Sequence, residues 1–363
     1  MIPDIQNPTG NLEHLPEIDC VVIGVNAEAT LYRCLSSILE CSYPQRHLNI
    51  IYVDGGSHDG SIRIAESLAG VHTVRLNPEF PSPGLGRNAG WKAGSAEFVQ
   101  FLDSDTVLDR DWLRTAVAEF EPDIAAVAGY REEMHPDHSV YNWIGSLEWN
   151  GTPGDADSFG GDVMIRRQVL EDSDGYDEQL VGGEDPELSL RIRSAGWLLK
   201  QLDSKMTLHD LAMTSFSQYW KRVYRSGYGF AAVIDKCSNT DIPFWQKEFR
   251  RIIVRGGGFL VLSLLSVSLI LLFPVKLQFV SAAVLMAAAA LFLLLYPRLF
   301  RVGYFMRDKQ LERKQARVYA WHCSLVVLPD ILGVARFYLG KICNRPLRNR
   351  RKKLATSTFQ PQP

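Results

Sequence analysis

The stretch FVQFLDSDTV, residues 98–107, sets an apolar run directly against two aspartates. FVQFL has the length and the aromatic and β-branched content of a buried strand. Asp103 and Asp105 then fall where such a strand would leave a sheet. Two carboxylates two residues apart at a strand end either form a solvated turn or grip a hard divalent cation. Only the rest of the chain distinguishes these readings.

Upstream, strand-like and helix-like patterns alternate. IDCVVIGV (18–25), LNIIYVDGG (48–56) and VHTVRLN (71–77) read as strands. Between them, ATLYRCLSSILEC (29–41) places Leu31, Leu35, Ile38 and Leu39 on one helical face, and HDGSIRIAESLAG (58–70) reads as a helix closed by Gly70. The Gly-rich PGLGRNAGWKAGSA (83–96) begins a helix before FVQFL, and RDWLRTAVAEF (110–120) is a helix after it. This alternation predicts an α/β fold with a largely parallel sheet covered on both faces. Ligands of such sheets bind at the carboxyl ends of the strands, where Asp54, Asp103 and Asp105 all lie.

The charge is unevenly spread. Residues 1–217 carry 15 Lys and Arg against 35 Asp and Glu, and residues 218–363 carry 24 against 6. An acidic head and a basic tail that meets anionic partners follow from this split. Two uncharged runs, 256–275 and 277–297, are each long enough to cross a hydrocarbon core of ~30 Å as a helix. Their short connection makes them an antiparallel hairpin, and the alternative is a pair of buried helices in a soluble domain. Basic residues cluster before and after the hairpin, with only Lys276 between, which places both ends and the acidic head on the cytoplasmic side. The segment 318–340 is apolar but interrupted by His322, Pro329, Asp330 and Arg336, and reads as interfacial or re-entrant. Residues 214–255 read as amphipathic interface helices, with ordinary packing helices as the other reading. The tail 341–363 is basic and suits anionic membrane lipids better than nucleic acid. Six scattered cysteines without a CxxC read as reduced thiols, and the polar stretch 1–17 has no signal-peptide pattern.

Four constellations bear on chemistry. VDGGSHDGS (53–61) is either a strand-to-helix turn or a ligand-approach loop. GLGRNAGWKAG (84–94) lacks dinucleotide-fingerprint spacing but sets Arg87 at a helix start, where it can face an anion or simply pack. In GGEDPELSLRIRSAGW (182–197), Glu184 and Asp185 open a helix; they either complement its dipole or supply a general base. His209, in MTLHD (206–210), is either structural or an imidazole metal ligand.

Taken in order, VVIGVNAEATLYRCLSSIL, VDGGSHDGS, GRNAGWKAGSAEFVQFLDSD, FGGDVMIRRQVLEDSDGYDE and GGEDPELSLRIRSAGW resemble the GT-A fold of the family-2 inverting glycosyltransferases over residues 18–210. The resemblance implies a GT-A catalytic domain over 18–213, to which the C-terminal transmembrane hairpin and interfacial helices read from hydropathy are joined. It implies that Asp54 contacts the nucleotide base with Glu28 nearby, and that Arg87 helps position the donor near its phosphates. Asp103 and Asp105 would be the DxD pair, Asp105 the more direct ligand of Mn2+ or Mg2+, with His209 a late metal-ligand position. Asp185, in the pair with Glu184, would be the catalytic base. Gly55 stands where many relatives carry a second Asp, which puts one acidic contact in doubt.

QYWKR (218–222) does not match the QxxRW pattern of processive synthases, so transfer of a single sugar from a nucleotide-diphospho-sugar is expected. The expected acceptor is a lipid-linked saccharide or glycolipid. A polyprenyl-phosphate glycosyltransferase is the alternative, and a catalytically inactive membrane-tethered binding module is the alternative of another class. A nucleotidyltransferase would carry a Gly-rich basic loop after the first strand, which VNAEATLYR lacks.

Overall fold

The computed structural model describes residues 15–149, 151–237 and 244–349. The polar stretch expected before residue 15 and the basic tail after residue 349 lie outside the described residues.

The first half folds as its periodicity predicts. Strands β1 (Ile18–Gly24), β2 (Leu48–Asp54), β3 (Val71–Arg75) and β4 (Phe98–Asp103) pair in the parallel order β3-β2-β1-β4. Helices α1 (Leu31–Leu39), α2 (Ser61–Ser67) and α3 (Pro83–Ala93) make the crossovers. Successive side chains of β1 point to opposite faces, and both faces are covered. Cys20 and Val22 meet Leu31, Leu35 and Ile38 of α1, while Val21 joins Trp91 of α3. Fully burying each such aliphatic side chain contributes roughly 1.5–3 kcal/mol, which is why these strands read as continuous apolar runs.

The second half departs from a largely parallel sheet. It contains β5 (Thr106–Leu108), α4 (Trp112–Ala118), β6 (Ile124–Glu133), α5 (Val140–Glu148), β7 (Gly154–Asp155), β8 (Val163–Arg166), α6 (Arg167–Asp172), α7 (Glu184–Ser194) and β9 (Leu198–His209). The order continues β4-β8-β6-β9-β5, with β7 also on β9. Strand β8 is antiparallel to both neighbours, β6 and β9 are parallel, and β5 returns antiparallel on β9. That last pairing sets Thr106 opposite His209. It thereby carries the histidine to the end of the DSD turn.

Beyond the sheet, α8 (Phe216–Cys237) leads to α9 (Gln246–Arg251), a π-helical turn over 252–257 and α10 (Gly258–Leu272). Helix α11 (Leu277–Phe300) returns antiparallel, then come α12 (Val302–Asp308), α13 (Arg313–Leu325) and α14 (Val327–Ile342). Among the described residues, three helical stretches are long and apolar enough to cross a membrane: 246–272, 277–300 and 313–342. The third differs from the expected interrupted segment, because α13 and α14 run on almost continuously. Pro329 sits in the first turn of α14, where its missing N–H costs little. In this stretch, 56 % of the apolar window is buried against protein, against 17 % in each hairpin helix. Its histidine is paired: His322 Nε2 meets Glu148 Oε1 at 3.0 Å and Nδ1 meets the Tyr219 hydroxyl at 2.8 Å. Arg255 ties the hairpin to the third stretch by donating to the Leu293, Leu294 and Cys323 carbonyls.

Candidate active site

A cleft of about 1320 Å³ opens at the carboxyl ends of β1, β2 and β4 and is roofed by α8. Its floor is built around one buried cation. Arg87, on α3, is 2 % exposed. It donates to Glu184 Oε1 at 2.9 Å and to Asp103 Oδ1 at 3.0 Å, and lies 3.4 Å from Asp185 Oδ1. A buried guanidinium needs such partners, since unpaired charge in the interior costs several kcal/mol. Arg87 therefore clamps the end of β4 to the start of α7. Gly161 makes room for it: a Cβ there would lie 2.5 Å from Arg87 Nη2 and 2.7 Å from Asp103 Oδ2.

The clamp separates the Glu-Asp pair. Glu184 is held by the arginine hydrogen bond, whereas Asp185 Oδ1 is buried with no hydrogen-bond donor. Burial dominates over the Arg87 charge and pushes the Asp185 carboxyl up to about 8. Both acids follow Gly183, whose φ of 88° is the left-handed conformation that a side chain would strain.

Across the cleft, single ligand atoms of Asp103, Asp105 and His209 all lie within 4.8 Å of one another. His209 Nε2 is 3.5 Å from Asp105 Oδ1. Burial and the nearby charges of Asp103 and Asp162 push Asp105 up to about 7, and burial holds His209 down to about 4, so its imidazole is neutral and able to ligate. His209 Nδ1 is buried without a partner. Two mutually repelling carboxylates beside a neutral imidazole with an orphaned nitrogen form an oxygen-rich donor set that fits a divalent cation.

Asp54 is buried, and its carboxylate accepts from Tyr52 Oη at 3.2 Å, Gly56 N at 2.9 Å and Ser57 N at 2.8 Å. It shapes the loop whose Gly55 lines the cleft. Glu28 accepts from Gly60 N at 3.1 Å and pairs with Arg63 at 3.5 Å, on the outer side of that loop.

Several site residues lie in segments the sequence marks only broadly and are not singled out by a motif. Asp162 is fully buried behind the DSD turn, accepting from Asp103 N at 3.1 Å and Thr207 Oγ1 at 2.9 Å. Its carboxyl is pushed up to about 6 by burial and by Asp103. The FGGD sequence containing it was visible, but its spacing did not tie it to the DSD turn. Trp149, just past α5, packs edge-on against His209 with ring centroids 4.7 Å apart. Arg131 and Arg222 lie over the same indole at 5.7 and 6.0 Å.

A sheet that turns from parallel to mixed at β4, with paired aspartates at that strand's end and a Gly-Gly-Glu-Asp helix start opposite, defines a GT-A-type nucleotide-sugar transferase. The profile described as "Glycosyl transferase family group 2" matches residues 98–302, and "Glycosyl transferase family 2" matches residues 19–172. The chain belongs to the family-2 glycosyltransferases. It is similar to Glycosyltransferase AglE of Haloferax volcanii, 22% identical over 59% of this chain and 73% of that protein. It is also similar to the pre-mycofactocin glycosyltransferase of Mycobacterium tuberculosis, 31% identical over 52% of this chain and 42% of that protein, and so spans less than half of that relative. Among solved structures, the mannosyltransferase PcManGT of Pyrobaculum calidifontis, in complex with GDP-Man and Mn2+, superposes with a TM-score of 0.57 at 18% identity, over 85% of this chain and 87% of that one. S. aureus TarS with UDP-GlcNAc superposes with a TM-score of 0.51 at 17% identity, over 85% and 91%. These two likenesses show the fold.

Proposed function

We propose that the protein is a membrane-anchored inverting glycosyltransferase that moves one sugar from a nucleotide-diphospho-sugar to a hydroxyl of a lipid-linked acceptor. The observation that carries this reading is the Asp185 carboxylate: one oxygen without a donor, a raised pKa, and a place in the same cleft as Asp103, Asp105 and His209. A carboxylate that accepts a proton near neutral pH is what a hydroxyl acceptor requires. An acceptor phosphate is already an anion and needs no such base, so the hydroxyl reading is preferred to polyprenyl-phosphate transfer.

In this reading the nucleotide lies over the ends of β1 and β2, near Val25 and Gly55, with Asp54 holding the loop beneath it and Glu28 the loop's outer side. Asp103, Asp105 and His209 would hold Mn2+ or Mg2+, which would supply charge neutralisation for the diphosphate leaving group. Arg87 acts through its partners, fixing Asp103 and Asp185 on facing walls. Asp185 takes the proton from the acceptor hydroxyl as its oxygen bonds to the anomeric carbon. The bond to the diphosphate breaks on the opposite face, so the stereochemistry inverts. Glu184 keeps the arginine neutralised, which leaves Asp185 as the base.

The helices 246–272 and 277–300 form the membrane hairpin, with the catalytic domain on the cytoplasmic side. Anionic lipids meet the basic residues flanking it. A panel of nucleotide sugars tested for thermal protection of the full-length protein with Mn2+ identifies the donor. Transfer to an acceptor presented in liposomes then tests the lipid reading. Equal turnover with a soluble acceptor sugar would count against it.

A further inference from the structure

Helix α8 presents a cationic face to the cleft. Gln218, Lys221, Arg222 and Arg225 recur at one-turn spacing, and all four line the cavity. Arg131, from β6, lines it too, and its guanidinium and that of Arg222 lie over the Trp149 ring. Among the described residues, no carboxylate forms an ion pair with Lys221, Arg222 or Arg225. The neighbouring acids are committed elsewhere: Asp103 and Glu184 to Arg87, and Asp105 to the cation site. A cation bound at the triad would cancel the attraction of Asp103 and Asp105, leaving this wall more positive still.

Two guanidiniums lying over one aromatic ring can turn donors toward an anion with several oxygens. The wall they form is also the one shared with the apolar helices. Tyr219 of α8 bonds His322 of α13, and Gly227 of α8 touches the Asp330 backbone of α14. Trp149 also packs against His209, so this wall borders the cation triad.

The geometry points to a phosphate-binding subsite formed by Arg131 and Arg222 on Trp149, with Lys221 beside them, which holds a phosphate ester carried by the lipid-borne acceptor. The inference rests on the reading of the cleft as a glycosyl-transfer site. The phosphate is an anchor and takes no part in bond making; the nucleophile remains the hydroxyl that Asp185 deprotonates.

The test is a binding measurement on the full-length protein in detergent micelles, with Mn2+ and a saturating nucleoside diphosphate. Farnesyl phosphate is compared with farnesol as the probe. The wild type should bind the phosphate about tenfold or more tightly than the alcohol, the scale of one charge-assisted hydrogen bond. Arg222→Gln and Arg131→Gln should each remove most of that preference, and Arg222→Lys part of it. Nucleoside diphosphate affinity, measured separately, should stay within about threefold in all three, which also certifies that they fold. Equal binding of farnesyl phosphate and farnesol by the wild type would overturn the inference. So would variants that keep the preference but lose nucleoside diphosphate, which would assign the arginines to the donor. A wild type that binds no nucleoside diphosphate would sink the glycosyl-transfer reading itself, and this inference with it.

Discussion

The base role proposed for Asp185 follows from what it lacks. Its Oδ1 has no donor, while its neighbour Glu184 takes the Arg87 hydrogen bond. The fold therefore retains the Asp185 proton up to about pH 8, whereas an unfolded aspartate loses it near ~4. Between those values the folded state binds more protons than the unfolded state, so this group lowers stability as pH rises. Asp185→Asn should abolish transfer yet raise the melting temperature at pH 8 by a few degrees, on the order of 1 kcal/mol, with a smaller gain at pH 5. A melting-temperature series across pH checks this, and a variant less stable at pH 8 than the wild type would contradict it. The rate should also climb with pH along a limb that Asp185 controls. Gly161→Ala should break the Arg87–Asp103 contact, because no side chain fits at 2.5 Å from the guanidinium. Loss of most activity with a stability loss of about 3 kcal/mol, the scale of a broken buried ion pair, is expected in denaturant unfolding.

At the scale of elements, what was legible follows burial. Strands β1 to β4 are covered on both faces, so they appear as uninterrupted apolar runs, and the motifs at their ends could be placed. Strand β9, LLKQLDSKMTLH, is half-exposed along much of its length and carries Lys200, Asp203 and Lys205. Its pairing with β5, which brings His209 to Asp105, rests on long-range register that no local pattern encodes. Asp162 and the shared indole of Arg131 and Arg222 were hidden for the same reason. The apolar segment 318–340 reads as broken at His322 because that residue's partners, Tyr219 and Glu148, lie more than 90 positions away. Helix α8 meets α14 backbone to backbone: a Cβ on Gly333 would lie 2.1 Å from the Tyr224 carbonyl oxygen, and one on Gly227 2.1 Å from that of Asp330. Gly333→Val should displace α8 from the cleft roof. Lower activity together with faster proteolysis within 216–237 would confirm this, and an unaltered digestion pattern would argue that α8 does not depend on α14.

For the whole molecule, the charge split and the apolar helices describe an acidic catalytic domain joined to a basic half whose helices are long and apolar enough to cross a membrane. The hairpin should place residues 255 and 301 on the same side of the bilayer as the cleft. Single cysteines introduced at Lys276 and at Lys309 should react with a membrane-impermeant reagent from opposite sides of sealed vesicles; labelling from the same side would refute the hairpin. The catalytic domain and the apolar helices meet at α8, so in the proposed reading donor chemistry and acceptor delivery converge on one cleft. The central claim is that this cleft binds a nucleotide sugar through a cation held by Asp105. Calorimetric titration of the donor nucleoside diphosphate into the full-length protein, with and without Mn2+, tests it directly. The wild type should bind about a hundredfold more tightly with Mn2+ than without, the scale of ~3 kcal/mol for a bridging cation. Asp105→Ala should bind equally weakly in both conditions while keeping its fold. Binding by the wild type that is indifferent to Mn2+, or a Mn2+ response undiminished in Asp105→Ala, would contradict the account.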